Sequence, residues 1–336
     1  MYIEKINSPK DIKKFQIKEL TELAGEVREA IINKVSDCGG HLASNLGMVE
    51  LTIALHYVFD SPKDKFVFDV SHQTYCHKIL TGRKDAFIEK ESYQNVTGFS
   101  NPLESEHDLF AVGHTSTSIS LACGLAKARD LRRETENVIA IIGDASLDGG
   151  EAFEALNCAS EITGNLIVII NDNEMSIPEN HGALGKHLKD LRLSAGTLPN
   201  NFFKALGFQY LLVEKGNDIE AVIKALNHVK DTKVPVVVHV CTQKGKGFKP
   251  AEEDKENWHW ARPFDKETGK RKNPDVVENY GNIVAEHLLG KMKENSEIAV
   301  IAASTPICIG FNKERRELAG KQYIDVGIAE QNAVTM

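Results

Sequence analysis

The sequence predicts an α/β protein: a mainly parallel sheet flanked by helices, followed by the start of a second α/β domain. Three observations predict it. Short runs, "KFVFDV" (65–70), "DLFAV" (108–112), "VIAII" (138–142), "NLIVII" (165–170) and "VPVVVHVCT" (234–242), are apolar enough to read as strands buried on both faces. Helical patterns separate most of them, which implies βαβ units. The rhythm then breaks at a charged stretch, 249–275, and resumes beyond it.

Taken in order, residues 8–35 read as helix. Ser8 is placed to cap it, Pro9 suits the first helical position, and "LTELAGEVREAIINKV" repeats apolar residues at three-to-four spacing. "NLGMVELTIALHYVF" is a second helical pattern. "STSISLACGLAKARDL" and "GGEAFEALNCASEI" supply crossover helices. Residues 249–275 read as a connection between domains, partly packed because it holds Trp258 and Trp260. A helix over 276–292, strands at 297–304 and 322–328, and a helix starting in "AEQNAVTM" follow. This gives a first domain over 1–248 and the beginning of a second over 276–336, which reads as cut off early.

The chain has 336 residues, 42% of them apolar, enough for a full core. Its net charge of −8, with no sustained basic stripe, argues against nucleic acid and anionic membrane as partners. Six scattered cysteines without a CxxC read as reduced thiols in a cytoplasmic protein. "MYIEKINSPKDIKKF" lacks the apolar region of a signal peptide, and no apolar run approaches a membrane span.

Polar groups collect after the strands. Ser71-His72-Gln73, Gly113-His114-Thr115-Ser116, Gly143-Asp144, Asn171-Asp172-Asn173 and Lys244-Gly245-Lys246-Gly247 follow the five runs in turn. Ligands of open parallel sheets bind outside the carboxyl ends of the strands. Turn-forming preferences enrich the same residue types, so any single end is ambiguous. Asp144 and Asn173 stand out as a carboxylate and an amide oxygen at two strand ends about one helix apart. Such hard donors suit Mg²⁺ or Ca²⁺, and Mg²⁺ usually keeps ligand phosphates in its remaining positions.

"GGHLASNLGMVELTIALHYVFD", "HQTYCHKILTGR", "GHTSTSIS", "NDNEMSI", "KGKGFKPAEED" and "DVGIAEQNAVT" together resemble the 1-deoxy-D-xylulose-5-phosphate synthase family, relatives of transketolase. The resemblance runs from about residue 8 to the last residue. It implies a thiamine diphosphate-binding fold with a diphosphate (PP) domain first, a pyrimidine (Pyr) domain second and a third domain beyond residue 336. It implies thiamine diphosphate and Mg²⁺ as cofactors, and pyruvate and an aldehyde or sugar phosphate as substrates. The family joins pyruvate to glyceraldehyde 3-phosphate with loss of CO₂, for isoprenoid and thiamine biosynthesis. A homodimer is expected of the complete protein.

Residue by residue, the resemblance makes Asp144 and Asn173 metal ligands, joined by the backbone carbonyl of Met175. His41 and His72 would line the substrate side, with His259 on the interdomain connection as a further catalytic histidine. His72, Gly113, His114, Thr115, Ser116, Gly143, Ala145 and Ser146 would sit against the cofactor, and Lys244 would approach its diphosphate. Glu330 would hydrogen-bond the aminopyrimidine and so promote loss of the C2 proton. A carboxyl with that task is expected to be poorly solvated and to have a raised pKa.

The sequence also departs from the family pattern. Ala145 replaces a second glycine, and Asn332 follows "EQ" where His is usual. The stretch 185–200 lacks several tens of residues. Alternatives are therefore a transketolase-type enzyme using ketose phosphates, or a non-catalytic cofactor-binding subunit. The chain read alone is expected to be inactive.

Overall fold

The computed structural model describes residues 1–175, 182–272 and 279–336. Ser176 and Ile177 of the "NDNEMSI" motif, and the 275/276 domain boundary, lie outside the described residues. Five strands form one sheet: β1 (Lys65–Phe68), β2 (Val138–Gly143), β3 (Leu166–Asp172), β4 (Gln209–Val213) and β5 (Val236–Cys241). Their order is β1-β2-β3-β5-β4, and every neighbouring pair is parallel.

Alternate side chains of these strands enter two cores. Phe66, Ile139, Ile167 and Val238 pack on one face with α1 (Ile17–Cys38), α2 (Val49–Val58) and a helix over Ile219–Val229. Val67, Ala140, Val168 and Val237 pack on the other with α3 (Ser118–Arg132), α4 (Gly150–Ala159) and α5 (Gly182–Leu193). β3 is buried along its whole length and β2 up to its last residue, Gly143, which is why their sequences are apolar without alternation.

Four expectations are corrected. Residues 108–112 form no strand. Asp108 there is spent on side-chain partners and the Asn101 amide, and the Val112 carbonyl accepts from Ser71 Oγ at 2.9 Å, so no ladder forms. β4 stands where the sequence reading places no strand: it is an edge strand, exposed at Gln209, half-buried through Leu212 and buried only at Val213, so no uniformly buried run marks it. Residues 8–35 are two helices, Pro9–Ile12 and α1, with a Gln16/Glu19 capping box restarting the second. The first strand stops at Phe68, and positive φ at Val70 and Ser71 (58° and 67°) turns the chain into the site.

Beyond the connection, a helix over Tyr280–Glu294 precedes β6 (Val300–Ala302), a helix over Lys313–Ala319, β7 (Tyr323–Asp325) and a helix over Glu330–Thr335. β6 and β7 are parallel, with a small apolar cluster of Ala285, Met292, Phe311 and Ala319. In the connection, Trp258 packs against Phe248 and Phe264, whereas Trp260 is half exposed. Among the described residues no helix is long and apolar enough to cross a membrane.

Candidate active site

β2 and β3 end together. Gly143 is in register with Asn171, and the Asp144 amide donates to the Asn171 carbonyl at 3.2 Å. That pairing brings the Asp144 and Asn173 loops to one cavity of about 230 Å³. His72, Thr115, Gly143, Asp144, Ala145, Ser146, Asn173, Met175, Lys244, His259 and Glu330 all line it. Ser44, Asp69, Ser304 and Ile328 line it too, and the sequence reading did not select them.

The donor set suits the implied metal. Asp144 is buried, and Asn173 Oδ1 is buried without a hydrogen-bond partner among the described residues. A buried amide oxygen left unpaired is costly, and a cation would satisfy it. Among the described residues no three His, Cys, Asp or Glu side chains form a metal site of their own. A cation here would take one carboxylate, one amide oxygen, the Met175 carbonyl and oxygens of its ligand, as Mg²⁺ does with phosphates. Lys244 is buried beside them. Burial pushes its ammonium down to about 8 against the pull of Asp144.

The three histidines form one cluster. Ring centroids lie 4.9 Å apart for His41 and His72, 5.6 Å for His41 and His259, and 5.1 Å for His72 and His259. The Trp260–Ala261 pairing with Gly40–His41 brings the connection to this place. Burial pushes His41 down to about 4. Burial, then neighbouring His41 and Lys244, holds His72 well below its ordinary value, and burial, then Lys244 and His72, does so for His259. All three are therefore neutral at pH 7. Nδ1 of His72 and of His259 is buried without a partner among the described residues, leaving each free to serve a ligand.

Other assigned residues stand apart. Gly113 and His114 are exposed and do not line the cavity. Ser116 is buried, with φ of 70°, and its hydroxyl donates to the Ser146 carbonyl at 2.7 Å. It ties its loop to the Asp144 turn rather than facing a ligand. Ala145 opens a short 3₁₀ turn and is not among the residues with positive φ, so alanine fits there without strain. The Glu330 side chain is 45% exposed, not buried as expected, because it opens a final helix with no buried residue. His114 Nε2 lies 3.8 Å from it. Asp69 is the main omission. Its buried carboxylate accepts the backbone amides of Ser116, Thr117 and Ser118 and so caps α3. An acid at a strand end, the feature that marked Asp144, was its signal in the sequence.

The family model for 1-deoxy-D-xylulose-5-phosphate synthase matches residues 3–198 and 192–242. The chain belongs to the 1-deoxy-D-xylulose-5-phosphate synthase family. The two matched pieces meet at 192–198, inside the stretch where the sequence is short. A synthase of that name from Pelotomaculum thermopropionicum is 41% identical over 369 aligned positions, covering 99% of this chain and 58% of the relative. One from Listeria monocytogenes is 43% identical over 340 positions, covering 99% and 56%. The chain thus spans little more than half the length of these synthases. Among solved structures, transketolase from Campylobacter jejuni superposes with a TM-score of 0.57 at 18% identity, over 94% of this chain and 62% of that one. Transketolase from Leishmania mexicana gives 0.54 at 16%, over 92% and 60%. These two establish the α/β fold.

Proposed function

We propose that this chain forms the metal- and diphosphate-binding side of a thiamine diphosphate-dependent synthase, which condenses pyruvate with glyceraldehyde 3-phosphate and releases CO₂. The observation that carries the reading is the convergence of Asp144, the Asn173 oxygen, which has no hydrogen-bond partner among the described residues, and buried Lys244 on one cavity, in a chain of this family. Asp144, Asn173 and the Met175 carbonyl would hold Mg²⁺. Lys244, kept cationic at neutral pH, would offset diphosphate charge. Thr115 and Ser146 would border it. The neutral imidazoles of His41, His72 and His259 can accept or donate a proton near the reacting carbonyl without carrying a standing charge. Glu330 would hold the pyrimidine ring in orientation. Thiamine diphosphate, when bound, supplies the carbanion chemistry that side chains lack.

The six free cysteines support a cytoplasmic protein. The same reading makes the complete protein a homodimer, which sedimentation tests.

Calorimetry of thiamine diphosphate binding, with and without Mg²⁺, tests the site. Binding should require the metal, and Asp144→Ala should weaken it about 100-fold or more, beyond what loss of an outer partner costs. Metal-independent binding would overturn the assignment. For the reaction, pyruvate and a ketose phosphate are compared as donors to the complete protein. CO₂ release from pyruvate is expected, and turnover of the ketose phosphate alone would replace the synthase reading.

A further inference from the structure

The Asn173 turn is not held by its own backbone alone. Glu174 has a φ of 65°, a strained value for a non-glycine residue, and stands between Asn173 and Met175. Asp172 supports that conformation. Its Oδ1 accepts the Glu174 amide at 3.1 Å. Its Oδ2 accepts from Arg192 Nη1 and from His239 Nε2, the latter at 2.7 Å. The other arm of Arg192 donates to the Glu174 carboxylate. One guanidinium on α5 therefore holds both the residue that starts the turn and the strained residue inside it.

The network continues under the sheet. A carboxylate only accepts, so His239 Nε2 carries the proton toward Asp172, and Nδ1 pairs with Tyr210 OH at 2.7 Å. Tyr210 is fixed in turn by stacking on Phe203, 5.9 Å between centroids and 7° between planes. Asp172 and His239 are fully buried. The Asp172 carboxyl also meets that of Asp144 on the neighbouring strand end. Asp172 thus stands beside Asp144 while its oxygens accept from the Glu174 amide, Arg192 and His239.

We propose that Arg192, His239 and Tyr210 are positioning residues that act through Asp172. They hold the 172–175 turn so that Asn173 Oδ1 and the Met175 carbonyl face the same cation as Asp144. The inference rests on the metal site proposed above. Mg²⁺ demands near-ideal octahedral geometry, whereas Ca²⁺ tolerates irregular and larger shells. A turn released from its support should therefore lose Mg²⁺ more than Ca²⁺. General destabilisation would weaken both alike.

The test titrates Mg²⁺ and Ca²⁺ separately, by calorimetry at fixed thiamine diphosphate, into the wild-type chain and Arg192→Met, Arg192→Lys and Tyr210→Phe. Arg192→Met should raise the Mg²⁺ concentration for half-saturation about 10–100-fold, the range for outer partners of metal ligands. The Ca²⁺ value should move much less. Arg192→Lys keeps the charge but not the two-armed contact, and Tyr210→Phe keeps every buried charge paired. Both should shift the Mg²⁺/Ca²⁺ ratio in the same direction by a smaller factor, and they serve if Arg192→Met does not fold. An unchanged ratio in the folded variants overturns the positioning role and leaves the metal site standing. Absence of metal-dependent binding in the wild type overturns the metal site itself, and this inference with it.

Discussion

Asp108 is fully buried and accepts two hydrogen bonds of 2.8 Å from the Arg83 guanidinium, one of 3.1 Å from His77 and one of 2.8 Å from the Asn101 amide. Burial alone would raise this carboxyl, but Arg83 and His77 outweigh it and hold the group well below the usual carboxylate range. Asp108→Asn leaves the buried cations short of a partner and should cost about 3–5 kcal/mol in urea unfolding. A loss below about 1 kcal/mol, the scale of an exposed pair, would show that the network carries little. His107, beside it, accepts or donates at 2.8 Å with Ser61 Oγ, and burial, then His77, pushes it down to about 4. Its folded value lies below the unfolded value near 6.5. The unfolded chain therefore takes up the proton first, and stability falls as pH drops from about 6.5 to about 4. In His107→Gln that fall should be shallower by roughly one proton, and an unchanged slope of urea midpoint against pH would reject the assignment. At this scale the sequence was partly legible. Asp144 and Asn173 stood out because an acid and an amide oxygen ended two apolar runs. Asp69 did the same and was passed over, since its partners, three amides almost fifty residues away, exist only in the fold. The exposure of Glu330 depends likewise on what packs around it.

Gly149 is the N-cap of α4 and packs against the Ser116 loop. A Cβ added there would lie 2.0 Å from Ser116 Oγ and 2.6 Å from its Cβ, closer than real side chains come. Gly149→Ala must push the two loops that carry Ser146 and Thr115 apart, at about 1–3 kcal/mol. Ser116→Gly removes the obstructing side chain and suits the left-handed φ, though it loses the bond to Ser146. A double-mutant cycle in urea should therefore show Gly149→Ala costing less in the Ser116→Gly background, and simple additivity would disprove the close contact. Elements were legible where burial was uniform. The central strands are buried on both faces, so their apolar runs had one reading. Edge strand β4 shares its surface with solvent, and its mixed composition hid it. Residues 108–112 carry enough apolar residues to resemble a strand, but Asp108 finds its partners among buried side chains, which no local pattern reveals. The break before α1 was written in the Gln16/Glu19 box and lost within a long helical periodicity.

The cavity joins two parts of the molecule. Asp69, His72, Asp144, Asn173 and Lys244 come from the five-stranded sheet and its loops, whereas Ser304, Ile328 and Glu330 come from the chain beyond the connection. An ion pair ties the chain beyond the connection to the connection itself. Arg316 donates to both carboxylate oxygens of Glu256, at 3.0 and 3.2 Å, two residues before Trp258 and three before His259. Asp148 is pushed up to about 6 by burial, and its carboxylate lies close to Gly327. A ligand that fills the cavity should therefore order both sides at once. Hydrogen exchange with Mg²⁺ and thiamine diphosphate should slow at residues 143–147 and, in the same titration, at residues 303–305 and 328–330. Arg316→Met should leave exchange in β2 and β3 unchanged, raise it between β6 and β7, and weaken cofactor binding by about 2–5-fold, the worth of a partly exposed ion pair. The variant matters because it separates two arrangements that share the same proposed metal site. If the cofactor is held from the sheet side alone, protection stops at residues 143–147 and Arg316→Met binds as the wild type does. If it is held from both sides, loosening a contact remote from the proposed metal ligands lowers affinity without touching them.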